Sequence, residues 1–359
     1  MNSPRSPVSA VAKKNDWPAL ANRLAELVPR SALHPAVVAW AGGESAAARG
    51  AWAVAFSGGA DSLALLLLLW AHWPDRRRRL LALHFDHRLR GRASTADAQF
   101  CARVCAALGV RFVGGKWAEA RAQASEAEAR TARFAFFQRE LARRRIHALW
   151  LGHQQDDIAE TLLMRIARGS GTAGLAAPRP LQLMPAGRVH VRALLTLKKA
   201  EIVAALAGLG VVWREDASNA TEAYQRNRLR HSGLPEWKAA TGGRDALAGA
   251  ALSRELLEED DIALEAWVDA VAPVSADGKR LDVIRLHGLP RAVVRRALHR
   301  WLVAQADTGD LSRQGFNSLL AAVERGAFTR FSLGRSGLAV IRKGVLALED
   351  KRQRQRQKE

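Results

Sequence analysis

The sequence is poor in the residues that cross-link a chain or bind structural metals. It has two cysteines and one tyrosine among 359 residues. Two thiols can form neither a disulfide framework nor a zinc site with four cysteines. Cys101 and Cys105 are spaced one helical turn apart, so we expect two buried thiols on one helix. A disulfide-rich secreted protein is therefore excluded.

Long apolar stretches are also missing. The longest one, Leu63–Trp73, is interrupted by His72 and is shorter than the roughly 20 residues that span a bilayer. Residues 1–15 contain no continuous apolar core, so we expect no signal peptide. The sequence thus predicts a cytoplasmic protein with no membrane partner.

Acidic residues are in short supply as well. The chain has 35 aspartates and glutamates against 55 lysines and arginines, which gives a net charge of +20. An excess of this size favours a polyanionic partner, and nucleic acid is the better candidate because the membrane option is weak. Hydrophobic residues make up 48% of the chain, enough for a sizeable core, and the length indicates roughly two domains.

From Ala51 onward, short apolar runs alternate with longer amphipathic ones. Four runs predict buried strands, at Ala51–Phe56, Leu80–Phe85, Val110–Val113 and His147–Leu151. Three stretches between them predict helices, at Ser62–Trp73, Thr95–Leu108 and Ser125–Arg145. Alternation of this kind implies right-handed crossovers. We therefore predict an α/β fold, a mostly parallel sheet with helices on both faces, followed by a smaller, mainly helical domain.

Composition divides the chain into four predicted segments. They are an N-terminal extension (1–50) with helical stretches at Ala19–Leu27 and Ala36–Trp40, the α/β domain (51–232), the smaller helical domain (233–350) and a disordered basic tail (351–359). The smaller domain contains a helical acidic stretch at Leu252–Val271 and a predicted strand pair at Thr329–Leu333 and Leu338–Arg342.

A glycine-rich loop connects the first predicted strand to the first predicted helix of the α/β domain. Its residues are Ser57, Gly58, Gly59, Ala60, Asp61 and Ser62. The two glycines let backbone N–H groups turn toward an anion, and the helix adds the positive end of its dipole. The serines can add hydroxyl donors, and Asp61 can hold a loop amide or Mg²⁺. A capped helix after a tight turn is the purely structural alternative.

A second polar cluster follows the fourth predicted strand. Gly152–Thr161 reads G-H-Q-Q-D-D-I-A-E-T, which places His153 and Asp157 on one helical face with Glu160 beside it. Imidazole and carboxylate groups at a strand end suit metal binding, a general base or capture of a cationic substrate. Acidic residues are also common in the first turn of ordinary helices.

Taken in order, these segments resemble the tRNA(Ile)-lysidine synthase family of the N-type ATP pyrophosphatases, whose phosphate-binding segment is called the PP-loop. The similarity runs from about Ala51 to Arg230. Besides the two motifs above it includes His84–Arg90, Ser125–Arg130 with Arg133, R-G-S-G at Arg168–Gly171, E-D-A-S-N at 215–219 and Y-Q-R-N-R-L-R at 224–230. The chain departs from the family in reading Arg192-Ala193 where R-P is common. It is also short for the third domain of longer members.

The resemblance implies a reaction in which ATP, with Mg²⁺, adenylates C2 of the wobble cytidine of a CAU-anticodon tRNA(Ile), and free L-lysine then displaces AMP to form lysidine. It implies that Ser57–Ser62 bind ATP and that Asp61 also places the metal. The proposed catalytic residues are Asp61, His153, Asp157 and Glu160, with Asp157 the first choice for taking the proton of the lysine amine. Candidates for binding phosphate or tRNA are Arg130, Arg133, Arg168, Asn227 and Arg228.

Several alternatives remain open from the sequence alone. A tRNA thiolase usually needs a C-x-x-C pair that this chain lacks, and an amide-forming relative does not explain the charge of +20. An RNA-binding protein without chemistry is a third option. A metal-dependent phosphoesterase is a fourth, suggested by His84, Asp86 and His87. The run Arg76–Arg79 can contact RNA or simply form a turn, and a homodimer is compatible with the sequence.

Overall fold

The computed structural model describes residues 15–88, 92–118, 124–214, 225–305, 311–333 and 337–349. The helices are α1 (Trp17–Leu27), α2 (Pro35–Ala41), α3 (Ala46–Arg49), α4 (Ala60–His72), α5 (Arg92–Leu108), α6 (Glu126–Arg144), α7 (Gln155–Ala167), α8 (Thr172–Leu175), α9 (Lys199–Gly208), α10 (Gln225–Arg228), α11 (Leu234–Ala240), α12 (Ala246–Val271), α13 (Arg291–Ala304) and α14 (Arg313–Arg325). The strands are β1 (Trp52–Ala55), β2 (Leu80–Asp86), β3 (Arg111–Lys116), β4 (Ala148–Trp150), β5 (Leu181–Met184), β6 (Arg188–Val191), β7 (Arg280–Asp282), β8 (Thr329–Ser332), β9 (Leu338–Arg342) and β10 (Val345–Glu349).

Contacts divide the chain into two compact units, residues 1–255 and 256–359. The border lies on helix α12, whereas the sequence predicts a border after residue 232. The four predicted segments remain a prediction. The predicted tail, the acidic segment 215–219 and Tyr224 lie outside the described residues.

The first unit is built on a twisted sheet with strand order β3-β2-β1-β4-β6-β5. Neighbouring strands from β3 to β6 are parallel, and β5 joins the edge antiparallel to β6. The four strands and three helices predicted within the α/β domain are all present, with ends shifted by up to three residues. The predicted fold class is confirmed.

Alternate side chains of the strands point into two hydrophobic layers, one on each face of the sheet. On β1, Trp52 and Val54 face the layer that holds helix α4, whereas Ala53 faces the layer that holds Phe136 and Phe137 of α6. The sheet is therefore covered on both faces, and its central strands β1 and β4 are apolar throughout, as buried parallel strands usually are.

Helix α4 is apolar on all sides because it is enclosed on all sides. Every residue from Leu63 to Trp70 is buried, and helix α1 packs against it. The described part of the predicted N-terminal extension thus belongs to the same core, where Trp17, Leu24 and Val37 are buried. None of the helices in the described ranges is long and apolar enough to cross a membrane.

The second unit combines helices with a small antiparallel sheet of order β7-β10-β9-β8. The predicted strand pair is present as β8 and β9, paired antiparallel from Thr329 opposite Ile341. Strands β7 and β10, which the sequence did not predict, complete the sheet. Trp301 of α13 is fully buried in the core of this unit, and its indole donates to the Lys279 carbonyl at 3.1 Å.

Candidate active site

The glycine-rich loop has the strand–loop–helix geometry that the sequence predicts. Gly58 has a φ of +90°, and a Cβ there would lie 3.1 Å from the Cys101 Sγ and 3.3 Å from a ring carbon of Phe100. A side chain is therefore excluded at Gly58 by both conformation and space. The next residue, Gly59, caps helix α4 with ordinary extended angles. The loop thus brings backbone N–H groups to the positive end of α4.

The two serines of the loop bind each other. The Ser62 hydroxyl donates to the Gly59 carbonyl at 3.0 Å and accepts the Ser57 N–H at 3.2 Å. Because the Ser62 proton is used in this way, the Ser57 hydroxyl donates to Ser62 across 3.0 Å. The Ser57 oxygen also accepts the Gly59 N–H at 3.3 Å. Both hydroxyl protons and the N–H groups of Ser57 and Gly59 therefore maintain the shape of the loop, and the backbone N–H groups at the start of α4 are the donors suited to an anion.

Asp61 is the charged residue of the loop. It lies in the first turn of α4, and its Oδ1 is buried without a hydrogen-bond partner in the described part of the chain. Burial raises the pKa of Asp61 to about 6; Lys199 opposes this rise, and the Asp157 carboxylate adds to it. An orphaned carboxylate oxygen is costly to bury, so this one is suited to receive a cation or a donor.

The end of strand β4 brings the second motif against this loop. Strands β1 and β4 are parallel neighbours, so their carboxyl ends meet at the same edge of the sheet. A Cβ on Gly152 would lie 3.1 Å from the backbone of both Asp61 and Ser62. Only glycine allows so close an approach of two backbones. The structure thus joins the two motifs into one site.

Asp157 and Glu160 are bound by two arginines that the sequence analysis did not select. On Glu160, which is fully buried, Oε2 accepts from Arg226 Nε at 2.6 Å and Oε1 from Arg230 Nε at 2.6 Å. Asp157 Oδ1 accepts from Arg226 Nη2 at 2.5 Å, and its Oδ2 accepts the Gln154 N–H at 3.0 Å. The two carboxylates and the two guanidinium groups thereby neutralise one another in a small volume. The carboxylates are three residues apart and the arginines four, but the 66 residues between Glu160 and Arg226 hide this pairing from sequence analysis.

The remaining arginine candidates lie at different places. Arg130 and Arg133, on α6, lie near the second motif, since the positive charge of each lowers the pKa of His153. Both also stack on the Phe134 ring, at 4.9 and 5.7 Å from its centroid. Arg168 is the exposed C-cap residue of α7. On α10, Asn227 is buried and Arg228 is exposed, beside the two arginines that bind the carboxylates.

Arg214 connects the end of the α/β domain to the loop. Its backbone N–H donates to the Gly58 carbonyl at 2.9 Å, and its side chain donates to the buried Asp97 of α5 at 2.6 Å. Sequence analysis missed this pair because its partners are 117 residues apart. The pair holds the outer side of the loop in place.

The residues that suggested a metal-dependent phosphoesterase have structural bonds. His84 Nδ1 donates to the Phe56 carbonyl at 2.9 Å, and Asp86 accepts the Arg88 N–H at 2.7 Å. Among the described residues, no three His, Cys, Asp or Glu side chains come together in a group that could hold a metal ion. Any metal at the loop would therefore need ligands from a bound substrate in addition to the protein.

The two cysteines are both buried and unbridged, as predicted. Burial raises the pKa of the Cys105 thiol to about 12 and raises that of Cys101 as well. A thiol with a raised pKa is a poor nucleophile and a poor metal ligand at neutral pH. Cys101 packs under Gly58 and serves as part of the floor of the loop.

The run Arg76–Arg79 forms a structural turn. The guanidinium of Arg77 lies 3.5 Å from the centroid of the Trp70 ring, and its Nε donates to the Trp70 carbonyl at 2.8 Å. The first and last arginines of the run donate to the Arg49 carbonyl, at 2.5 and 3.2 Å. Three of these four cations are thus used by the fold.

Comparison with known proteins agrees with this geometry. A PP-loop domain family matches residues 35–237. The tRNA(Ile)-lysidine synthase of Geobacter sulfurreducens is 36% identical over 292 residues, which cover 79% of this chain and 60% of that protein. The enzyme of the same name from Mycolicibacterium paratuberculosis is 36% identical over 284 residues, 76% of this chain and 81% of that protein.

The U34-tRNA thiolase NcsA of Methanococcus maripaludis is a distant structural neighbour, with a TM-score of 0.48 at 16% identity over 67% of this chain and 78% of that one. The chain spans about three fifths of the length of the Geobacter relative. The match to the Mycolicibacterium protein extends over most of both chains. The chain belongs to the tRNA(Ile)-lysidine synthase family of PP-loop proteins.

Proposed function

We propose that the protein ligates L-lysine to C2 of the wobble cytidine in a CAU-anticodon tRNA(Ile), using ATP and releasing AMP and pyrophosphate. The observation that carries the proposal is the contact between two strand ends. A loop suited to phosphate lies directly against a motif of imidazole and carboxylate groups, in a chain of this family. One strand end binds the nucleotide, and the other handles the amine.

The loop Ser57–Ser62 binds the phosphates of ATP through its backbone N–H groups. Asp61 holds Mg²⁺, and its unpartnered buried oxygen supports this role. Magnesium is usually held by one or two carboxylates together with substrate phosphates, so a single carboxylate beside an anion loop fits the ion. When bound, Mg²⁺ would neutralise charge on the phosphates.

Asp157 and Glu160 capture the ε-ammonium of lysine. Both form ion pairs with the guanidinium groups of Arg226 and Arg230. The ammonium enters by replacing one guanidinium on Asp157, which the arginines hold through Oδ1 alone, whereas arginines bind both oxygens of Glu160. An amine with an ordinary pKa near 10.4 must lose its proton before it attacks C2, and a carboxylate at bonding distance can accept or relay that proton.

The tRNA is held by cationic side chains around the site. Arg130, Arg133, Arg168 and Arg228 contact phosphates of the RNA or of ATP, and the buried Asn227 lies beside Arg228 on α10 and can donate to the same phosphates. The net charge of +20 supports an RNA partner, because phosphate contacts supply most non-specific affinity. We further propose that the second unit contacts the tRNA, that the protein acts in the cytoplasm and that two copies can form a homodimer.

Labelled lysine incorporation into an unmodified CAU-anticodon tRNA(Ile) transcript tests the proposal. Label should enter RNA only with ATP, with AMP and pyrophosphate formed in equal amounts. Asp61→Ala should abolish incorporation, and Asp245→Ala should preserve it, because Asp245 binds Lys198 on the surface. If the RNA is adenylated but no lysine is transferred, the enzyme uses a nucleophile other than lysine. If the folded protein binds tRNA but forms neither product, an enzymatic role is refuted.

A further inference from the structure

His153 lies between the two halves of the proposed site. It follows Gly152, the residue whose backbone touches the loop, and precedes helix α7 with its carboxylates. The sequence left three roles open for its cluster: metal binding, a general base or capture of a cationic substrate. The protonation state of its imidazole decides among them, and one hydrogen bond determines that state.

That hydrogen bond comes from Arg192. The Arg192 Nε donates to His153 Nδ1 at 3.1 Å. A guanidinium nitrogen has only protons to offer, so Nδ1 must supply the lone pair. A neutral imidazole with a lone pair on Nδ1 carries its single proton on Nε2. The pairing of the two side chains therefore defines the tautomer of His153.

Arg192 is held firmly enough to impose this state. It is 5% exposed, and its other two nitrogens donate to the Arg179 carbonyl at 2.7 Å and to Gln182 Oε1 at 3.0 Å. Burial lowers the pKa of Arg192 to about 10, with the Arg130 charge adding to the effect, so the guanidinium stays charged at neutral pH. Three acceptors on three nitrogens leave it one orientation.

The surroundings of His153 oppose a second proton. Burial holds the pKa of His153 well below its usual range, and the charges of Arg192, Arg226, Arg130 and Arg133 lower it further. A proton added at Nδ1 would break the bond to Arg192 and place two cations side by side. The only polar atom that the ring can offer a ligand is the Nε2–H donor.

We propose that Arg192 is a positioning residue that fixes His153 as a neutral Nε2–H donor, and that His153 binds an anionic oxygen of the substrates and does not act as a base. This rests on the proposed function for the identity of those substrates. The positive charges nearby favour an anionic acceptor, either a phosphate oxygen of ATP or the carboxylate of lysine.

Nitrogen NMR of histidine-labelled protein tests the tautomer without any catalysis. His153 should show an unprotonated Nδ1 and a protonated Nε2 from about pH 5 to pH 8. His84 is the internal reference, because its Nδ1 donates to a backbone carbonyl and it should show the opposite pattern. His153→Gln and His84→Gln assign the signals. A protonated Nδ1 or an imidazolium on His153 at neutral pH would overturn the proposal.

Arg192→Met and Arg192→Lys separate positioning from simple packing. Lysine keeps a charged donor and should keep the His153 pattern, whereas methionine should allow both tautomers. If both folded variants leave the His153 signals unchanged, Arg192 does not set the tautomer. Should Arg192→Met fail to fold, the wild-type spectrum alone still decides the protonation state.

The role as a donor is tested by His153→Gln and His153→Ala. A glutamine amide can donate near the Nε2 position but cannot serve as a base. We expect His153→Gln to retain lysine transfer within about tenfold and His153→Ala to lose on the order of 10²-fold. Equal losses in the two variants would refute the donor role. Adding a non-hydrolysable ATP analogue or L-lysine separately should shift the Nε2 signal in one case, which identifies the acceptor.

Discussion

Replacing Asp61 with asparagine should stabilise the protein while it removes activity. The carboxylate is buried with one oxygen unpartnered, and its pKa is about 6 against an ordinary value of 3.8. Those values differ by about 2 pH units, and each unit corresponds to about 1.4 kcal/mol. Ionisation of Asp61 therefore costs the folded state about 3 kcal/mol at neutral pH. Asparagine removes this cost but buries an unpaired amide, so we expect a net gain of about 1–2 kcal/mol.

The pH dependence of this gain has a defined sign. Because the folded state binds the Asp61 proton more tightly, wild-type stability falls as the pH rises from about 4 to about 6. Below pH 4 the group is neutral in both states. The advantage of Asp61→Asn should therefore be full above pH 6 and vanish below about pH 4.

Urea unfolding followed by linear extrapolation measures the effect, read on the transition that belongs to the first unit. Asp245→Asn is the matched control, since a hydrogen bond from Lys198 lowers the pKa of Asp245 and the same substitution should destabilise slightly. Mg²⁺ with ATP should stabilise the wild type more than the variant and reverse their order. A variant less stable than wild type at pH 7 without ligand would refute the reasoning.

Three further predictions concern contacts around the site. In Gly152→Ala the added methyl would lie 3.1 Å from the loop backbone, so ATP binding measured by calorimetry should weaken at least tenfold and the fold should lose about 1–3 kcal/mol of stability. Unchanged ATP affinity would contradict the contact. Glu160→Gln should lower the free energy of unfolding by about 3–5 kcal/mol, because it breaks a buried ion pair. A double-mutant cycle with Arg226→Met should show a coupling energy above about 1 kcal/mol, and additive effects would argue against the pair. Arg77→Gln should lower the free energy of unfolding by about 1–2 kcal/mol and leave the tRNA affinity unchanged, because Arg77 packs on Trp70. Arg78→Gln, at an exposed position, is the control and should change neither. If Arg77→Gln weakens tRNA binding at full stability, Arg77 contacts RNA.

Local patterns were enough to predict the loop and four strands, β1 to β4, of the six-stranded sheet. The apolar run of β1, the two glycines and the apolar helix α4 follow one another without a gap, so strand, turn and helix are specified within about twenty residues. Parallel pairing then places the end of β4 beside the end of β1. The sequence could therefore predict that the two motifs serve one site, although the approach of Gly152 to the loop depends on packing.

The partners of the charged residues could not be predicted in this way. Arg226 and Glu160 are 66 residues apart, and Arg192 and His153 are 39 apart. A guanidinium suits a phosphate and a carboxylate equally well, so its partner is decided by the fold. Strands β5, β6, β7 and β10 were missed for a similar reason, because short strands gain their stability from pairing.

Within the proposed reaction, the four predicted catalytic groups have different protonation chemistry, and this narrows the choice of proton acceptor. Asp61 faces the phosphate loop, and Glu160 is fully buried with both oxygens bound by arginines. His153 has its only free nitrogen already protonated. Asp157 remains, since the arginines hold it through Oδ1 alone and its Oδ2 accepts a backbone N–H. When the lysine ammonium displaces Arg226 from Asp157, the Oδ1 that bound the guanidinium becomes available to accept a proton. Capture of lysine and loss of its proton would therefore occur at the same oxygen.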